Sequence, residues 1–415
     1  MSVTGFRKLH NLILPIVVST STLALALLLL AVVMIAQGPA AQAQTFSVVH
    51  TFTGPEGANP EAGVTIRGGN LFGTTYGVPN FGTVYELVHS GSNWSALPLY
   101  IFSNGDDGAN PRGRVIFDPN GHPWGTARFG GSFNDGVIFD LTPPLTVCKT
   151  ANCFWKENPV SLFGSGLSTP GYGDLVWDAQ GNIYGTTDSF LGGVYELTRT
   201  ENGWMLNPLY KFSGTPDGSA PEGGVIFDNN GNLYGTTRLG GLFGYGTVFK
   251  MSYTVGVGWT ETPIYNFQGD TDGSAPYAGL VFDSAGNLYG TTSAGGSERG
   301  GTIFELSPSG DTWTFQLLQS FPSGEGGPYA PLTIDSSGNL YGTTRGSGTN
   351  NCGNVFKLTR AGDNWTYASL YDFTCGTDGG FPISNVTIDT DGTLYGTAEY
   401  QGGPKNYGVI WMIKP

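Results

Sequence analysis

The sequence predicts an all-β protein: a seven-bladed β-propeller of four-stranded blades, closed by an N-terminal strand that completes the last blade. Three observations carry this reading. The composition excludes helical and disordered chains, one phrase recurs seven times at near-constant spacing, and the two ends of the repeat region are each an incomplete unit. Gly and Pro, 67 and 25 of 415 residues, are the two poorest helix formers, which argues against an ordinary helical domain. Charged residues make up 12 %, about half the usual quarter, and aromatics 13 %. Disorder needs the opposite balance, high charge and low hydrophobicity. The strict three-residue glycine period of collagen is absent.

The first 43 residues read as a signal peptide. Arg7, Lys8 and His10 form a basic start, Leu23 to Ile35 is an unbroken apolar run, and Ala41-Gln42-Ala43 has the small-x-small pattern of a cleavage site. The alternative is an uncleaved anchor, since Leu12 to Ile35 is long enough to span a bilayer. Both place the remainder in an extracytoplasmic compartment: secreted, cell-surface or periplasmic. No cysteine lies near the apolar run, so lipidation there is not expected. Residues 44–415 carry 16 Lys and Arg against 32 Asp and Glu. A nucleic-acid partner requires a basic face, and none is expected here.

Residues 44–415 divide into seven repeats. The phrase Asn232-Leu233-Tyr234-Gly235-Thr236-Thr237 has variants centred on Phe72, Trp124, Tyr184, Tyr234, Tyr289, Tyr341 and Tyr395, at spacings of 52, 60, 50, 55, 52 and 54. The mean unit of about 53 residues is the size of one four-stranded propeller blade. Within a unit the first strand is a run such as Gly224-Val225-Ile226-Phe227. A turn of the type Asp228 to Asn232 follows, its Asp accepting backbone hydrogen bonds and its Gly supplying positive φ. The second strand is the aromatic-Gly-Thr-Thr phrase, whose Gly leaves room for an overlying aromatic. The third is of the type Gly246-Thr247-Val248-Phe249, and the fourth is of the type Leu209-Tyr210-Lys211-Phe212, usually a few residues after a Trp. Arg67 replaces the turn Asp in the first unit, where Gly68-Gly69 points to a different turn.

The C-terminal strand Gly408 to Ile413 is a third strand with no fourth after it, and Phe46 to Phe52 reads as an orphan fourth strand. Joining the two closes the ring and removes open sheet edges. The same register places Cys352, at the start of the third strand of the sixth unit, opposite Cys375, after the fourth, which suits a disulfide. Cys148 and Cys153 lie in an insertion after Leu141 and could close a small loop. Four cysteines, an even number, suit an oxidising compartment.

The phrases Gly-Asn-Leu-Tyr-Gly-Thr-Thr, Gly-Thr-Val-Phe and Asp-Gly-x-x-Pro closely resemble the GloVer extracellular tandem repeat of bacterial surface and secreted proteins, across essentially all of residues 46–415. Members of that family often end in a surface-anchoring segment. Here Pro415 directly follows a blade strand, so none is expected. The resemblance implies no activity and no catalytic residues. The Asp-x-x-Gly-Asn-Leu-Tyr turn is also similar to NHL-type and gluconolactonase-like propellers, in blade geometry only.

Catalytic constellations are not evident. After residue 43 the only histidines are His50, His89 and His122, without metal-ligand spacing, and no Gly-x-Ser-x-Gly elbow or phosphate loop occurs. No cofactor, metal site or catalytic residue is expected. Asp270-Thr271-Asp272-Gly273 resembles the start of a calcium loop, but Asp107-Gly108, Asp217-Gly218 and Asp378-Gly379 recur at the same point, so a turn is the simpler reading.

The rim where symmetry breaks is more informative. The residue four places after each phrase aromatic reads Tyr76, Arg128, Asp188, Arg238, Ser293, Arg345 and Glu399 around the ring. Such a set can line a mouth and hold a polyhydroxylated or anionic ligand, arginine offering forked donors; the alternative is a solvated rim that tolerates any residue. Two functions remain open. One is a non-catalytic binding or scaffold module for a polysaccharide or an extracellular protein, expected to be monomeric. The other is a carboxylate- or metal-assisted enzyme at the central channel, a lactonase or a glycan lyase or hydrolase. It requires acids clustered on the innermost strands near one rim, for which Glu61, Glu222 and Asp174 are the nearest candidates.

Overall fold

Seven antiparallel sheets follow one another along the chain in the computed structural model. It describes residues 44–415 apart from 78–79, 92, 145–153, 163–168, 190, 325 and 363. The signal-peptide segment 1–43 and the pair Cys148 and Cys153 therefore lie outside the described residues. Gln44–Lys414 forms one compact unit. Among the described residues no helix is long and apolar enough to cross a membrane.

The fourth blade shows the pattern: Ile226–Phe227, Leu233–Thr237, Thr247–Thr254 and Gly258–Asn266 pair in chain order. The second blade adds a short extra strand, Ala109–Pro111, against Pro123–Phe129. Closure occurs as the sequence requires. Thr45–Thr51 pairs with Val409–Lys414, Phe46 facing Ile413 and Thr51 facing Val409, and so completes the blade begun by Thr387–Ile388 and Leu394–Ala398.

Apolar residues occur on both parities of each strand because both faces of a blade are covered. Seven buried clusters fill the seven interfaces between neighbouring blades. One joins Tyr184, Val194 and Phe212 of the third blade to Val225, Leu233, Phe249 and Met251 of the fourth. The recurrent Tyr-Gly-Thr-Thr phrase has a separate structural reason at each position. The Tyr234 hydroxyl donates to the Asp228 carboxylate of its own turn (3.3 Å). A Cβ on Gly235 would stand 2.5 Å from the Phe249 ring, which lies over the glycine from the third strand. The first threonine ties blades together: Thr236 Oγ1 donates to the Ala278 carbonyl (2.8 Å), and Thr74, Thr186, Thr291, Thr343 and Thr397 do the same in their blades. The second ties strands together, as in Thr237 Oγ1 to Thr247 Oγ1 (2.8 Å).

Each Asp-Gly between blades closes its own turn. Asp217 accepts from the Ser213 backbone N–H and from the Tyr210 hydroxyl (2.8 Å), and Asp272 accepts from Gln268 and Tyr265 in the same way. These turns hydrogen-bond the loops between second and third strands, as in Gly241 N–H to the Gly214 carbonyl (2.8 Å), so both loop sets share one rim. Arg67 pairs with Asn70 across a two-residue turn in which Gly68 and Gly69 have φ of 59° and 81°, the hairpin form that needs no aspartate. Cys352 and Cys375 form a disulfide with a Cα separation of 5.5 Å.

Candidate functional site

The site is built by the short segment that enters each first strand. A proline opens this segment and packs on the glycine that precedes the third strand of the previous blade. Gly246, at φ 98°, has room for no Cβ, because Pro276 Cδ would lie 2.7 Å away. With the proline fixed outward, the following residues turn toward the axis. They are Glu61, Arg112, Tyr172, Glu222, Tyr277, Tyr329 and Ile383, one from each blade, and all line a single cavity of about 470 Å3. Lined by every blade, this cavity lies on the propeller axis. Small residues beneath them form its floor: a Cβ on Gly173 would stand 1.7 Å from the Gly224 nitrogen, and one on Gly223 2.5 Å from the Gly279 nitrogen.

Charges alternate around the mouth. Arg112 pairs with Glu61 (3.2 Å), Arg114 with Asp174 (2.6 Å), Arg238 with Glu222 (2.6 Å), and Arg128 with Asp188. With Arg345, five of the nine arginines after residue 43 gather here. Tyrosine faces carry the guanidinium groups: Arg112 lies 4.0 Å from the Tyr76 ring and 4.7 Å from Tyr172, and Arg238 5.1 Å from Tyr277. Tyr277 and Tyr329 meet with ring centroids 5.3 Å apart, making one side of the mouth aromatic.

The acids do not share one state. Burial pushes the Glu61 carboxyl up to about 7, with Glu399 adding to the rise and Arg112 opposing it. Burial also raises Glu399, against the pull of Tyr400 and Arg345, and raises Glu222 against Arg238. Glu222 is 5 % exposed, and its Oε2 has no hydrogen-bond partner among the described residues.

Of the rim residues predicted from sequence, Tyr76, Arg345 and Glu399 line the cavity itself. Arg128, Asp188 and Arg238 stand beside it in ion pairs, Arg238 on the lining Glu222. Ser293 is buried and donates instead to the Ala275 carbonyl (2.9 Å). Glu61, Glu222 and Asp174 come together in the same cavity. Sequence reasoning missed Arg112, Arg114, Tyr172, Tyr277, Tyr329 and Tyr400. The signal that finds most of the inward set is the variable residue just after each recurrent proline, such as Pro60, Pro111 and Pro276, in an otherwise constant segment.

Fold and site together define a seven-bladed β-propeller with a charged, tyrosine-lined axial mouth. The chain belongs to the Gloeobacter/Verrucomicrobia repeat family, whose pattern matches residues 39–190 and 170–411. No curated protein matches it in sequence. Among solved structures it is similar to a provisionally assigned 6-phosphogluconolactonase from Bacteroides uniformis, at 15 % identity and TM-score 0.50 over 84 % of this chain and 94 % of that one. A provisionally assigned 6-phosphogluconolactonase from Bacteroides fragilis shows 15 % identity and TM-score 0.49 over 87 % and 90 %. A protein of unknown function from Dyadobacter fermentans shows 12 % identity and TM-score 0.47 over 90 % and 98 %. At such identities the likeness is one of fold.

Proposed function

We propose that this protein is a secreted or periplasmic binding protein that takes a glycan at its axial mouth. One observation carries the reading. In a ring whose blades otherwise repeat, the seven non-repeating inward positions supply tyrosine faces, guanidinium donors and carboxylate acceptors to one cavity. Sugar rings offer C–H faces to aromatics and hydroxyls to both polar classes, so this mixture suits a polyhydroxylated ligand. The Cys352–Cys375 disulfide supports an oxidising compartment. A second reading, a carboxylate-assisted enzyme acting on glycan or lactone, is favoured by Glu61, a carboxyl near 7 beside the second acid Glu399.

Native affinity electrophoresis through gels containing single polysaccharides separates the two. Retardation by one polymer, left intact and abolished by Tyr329→Ala, is the expected result. Retardation with clearing of the polymer would establish the enzymatic reading. Unchanged mobility across the panel would sink the glycan reading and direct the search to protein partners or a small lactone.

A further inference from the structure

Four of the five arginines at the mouth lie within ion-pair distance of a partner acid: Arg112 of Glu61, Arg114 of Asp174, Arg128 of Asp188 and Arg238 of Glu222. Arg345 differs. It lines the cavity and is exposed, and among the described residues its side chain makes no ion pair or hydrogen bond. Its backbone N–H is fixed on the Gly327 carbonyl (3.2 Å), and its guanidinium lies 5.9 Å from the Phe381 ring. Tyr329 of the same blade, adjoining Tyr277, supplies the aromatic wall beside it.

We propose that the glycan bound at this mouth carries a carboxylate, a uronate residue, which Arg345 receives while the uronate ring lies against Tyr329. The proposal rests on the glycan reading and adds the ligand's charge. A guanidinium presents two parallel N–H donors that match the two oxygens of a carboxylate, and a neutral hydroxyl leaves one of them unused. Among the described residues the other four arginines each have an acid partner, and the fifth acid, Glu399, makes no ion pair and is held toward its neutral form by burial, which leaves Arg345 as the cation open to a ligand. Since the whole chain carries a formal charge of −14, a polyanion is repelled at long range, so an isolated uronate in an otherwise neutral chain fits better than an unbroken run.

The neighbouring acids make this subsite sensitive to pH. Glu61 is faced by Arg112, Glu399, Arg128 and Arg345, and Glu399 by Tyr400, Arg345 and Arg112. Burial raises both carboxyls, Glu61 to about 7, so below neutrality Glu61 is largely uncharged and its partner Arg112 joins Arg345 in facing the ligand. As pH rises the Glu61 carboxylate forms and opposes the incoming anion. If binding requires its protonated form, affinity falls about tenfold between pH 6 and pH 8.

The test uses the purified protein and gels containing glucuronoxylan, polygalacturonate, hydroxyethyl cellulose or laminarin, with the two acidic polymers also used after carboxyl reduction. Retardation by glucuronoxylan is expected, weaker by polygalacturonate, and at least tenfold lower after carboxyl reduction. Arg345→Gln loses that retardation with its melting temperature unchanged, and Glu61→Gln flattens its dependence on pH. Equal retardation by an acidic polymer and its reduced form, or no effect of Arg345→Gln, overturns the uronate assignment and leaves the glycan reading standing. Retardation by hydroxyethyl cellulose or laminarin alone does the same. No retardation by any polymer overturns both.

Discussion

At the scale of single residues, the molecule holds carboxyls displaced in opposite directions, and the signs of their contributions differ. Glu157 and Glu261 occupy equivalent places in the fourth strands of the second and fourth blades, where Phe315 stands in the fifth. Each is half-buried near the turn aspartate of the preceding blade, Asp107 or Asp217. Burial, with that aspartate adding to it, pushes each up to about 8. Their folded pKa lies above the unfolded value, so their contribution is complete below the unfolded value and is lost as pH climbs from about 4.5 to about 8. Glu157→Gln with Glu261→Gln is therefore expected to stabilise the fold at pH 9 by about 1–2 kcal/mol per site, and far less at pH 5. Urea unfolding at the two pH values checks this, and an equal effect at both would contradict it. Glu56 is the reverse case. Burial alone would raise it, but hydrogen bonds from His50 and Thr53 outweigh that and hold it at about 2. Its contribution is present above the unfolded value and is lost as pH falls from about 4.5 to about 2, so Glu56→Gln should lower stability at pH 7 and matter little near pH 2.

Within an element, the aromatic-over-glycine contact sets how a second strand meets its third. A Cβ on Gly290 would stand 2.5 Å from the Phe304 ring and 2.8 Å from Leu280. Gly290→Ala should cost about 1–3 kcal/mol through overpacking, and Phe304→Leu in the same chain should recover part of it. Denaturant unfolding of the single and double variants decides; additive losses would show that the ring is not the obstacle. The disulfide links the ends of the third and fourth strands of the sixth blade, residues 23 apart, where they pack against the seventh blade. Replacing both cysteines by serine should cost about 3 kcal/mol by loop-entropy arithmetic.

For the whole molecule, closure is the feature that makes seven weak units one body. Each interface buries an apolar cluster, and the one between the seventh and first blades contains Phe52, next to the N-terminal strand, together with Tyr395 and Ile410. Thr45 faces Lys414 across that antiparallel pair. Moving residues 45–52 to the C-terminus through a short Gly-containing turn should therefore leave the fold and its stability nearly unchanged. Deleting them should expose the edge of Val409–Lys414 and give self-association. Size-exclusion chromatography and thermal melting of the two forms test this; a monomeric deletion variant with the parental melting point would show that the strand is dispensable.

The ring, the clasp and the Cys352–Cys375 pair were legible because they follow from repetition and register, which are local and one-dimensional. A strand identified in the fourth unit identifies its counterpart in every other. The purpose of the paired threonines was not legible, since Thr236 acts on Ala278 in the next blade and Thr237 on Thr247 in its own sheet. The mouth was legible only in part. Tyr76, Arg345 and Glu399 stood out as breaks in a constant pattern, whereas Tyr172, Tyr277 and Tyr329 read as ordinary aromatics in a chain rich in them. Sequence by itself determined how many blades there are and how the ring closes, because six blades are written contiguously and the seventh is split between the two ends of the repeat region. Tertiary structure alone decided which charges meet. Rotation about the axis brings single residues from seven distant segments into one cavity, where burial and mutual pairing leave Glu61 raised and Arg345 without an ion-pair partner among the described residues.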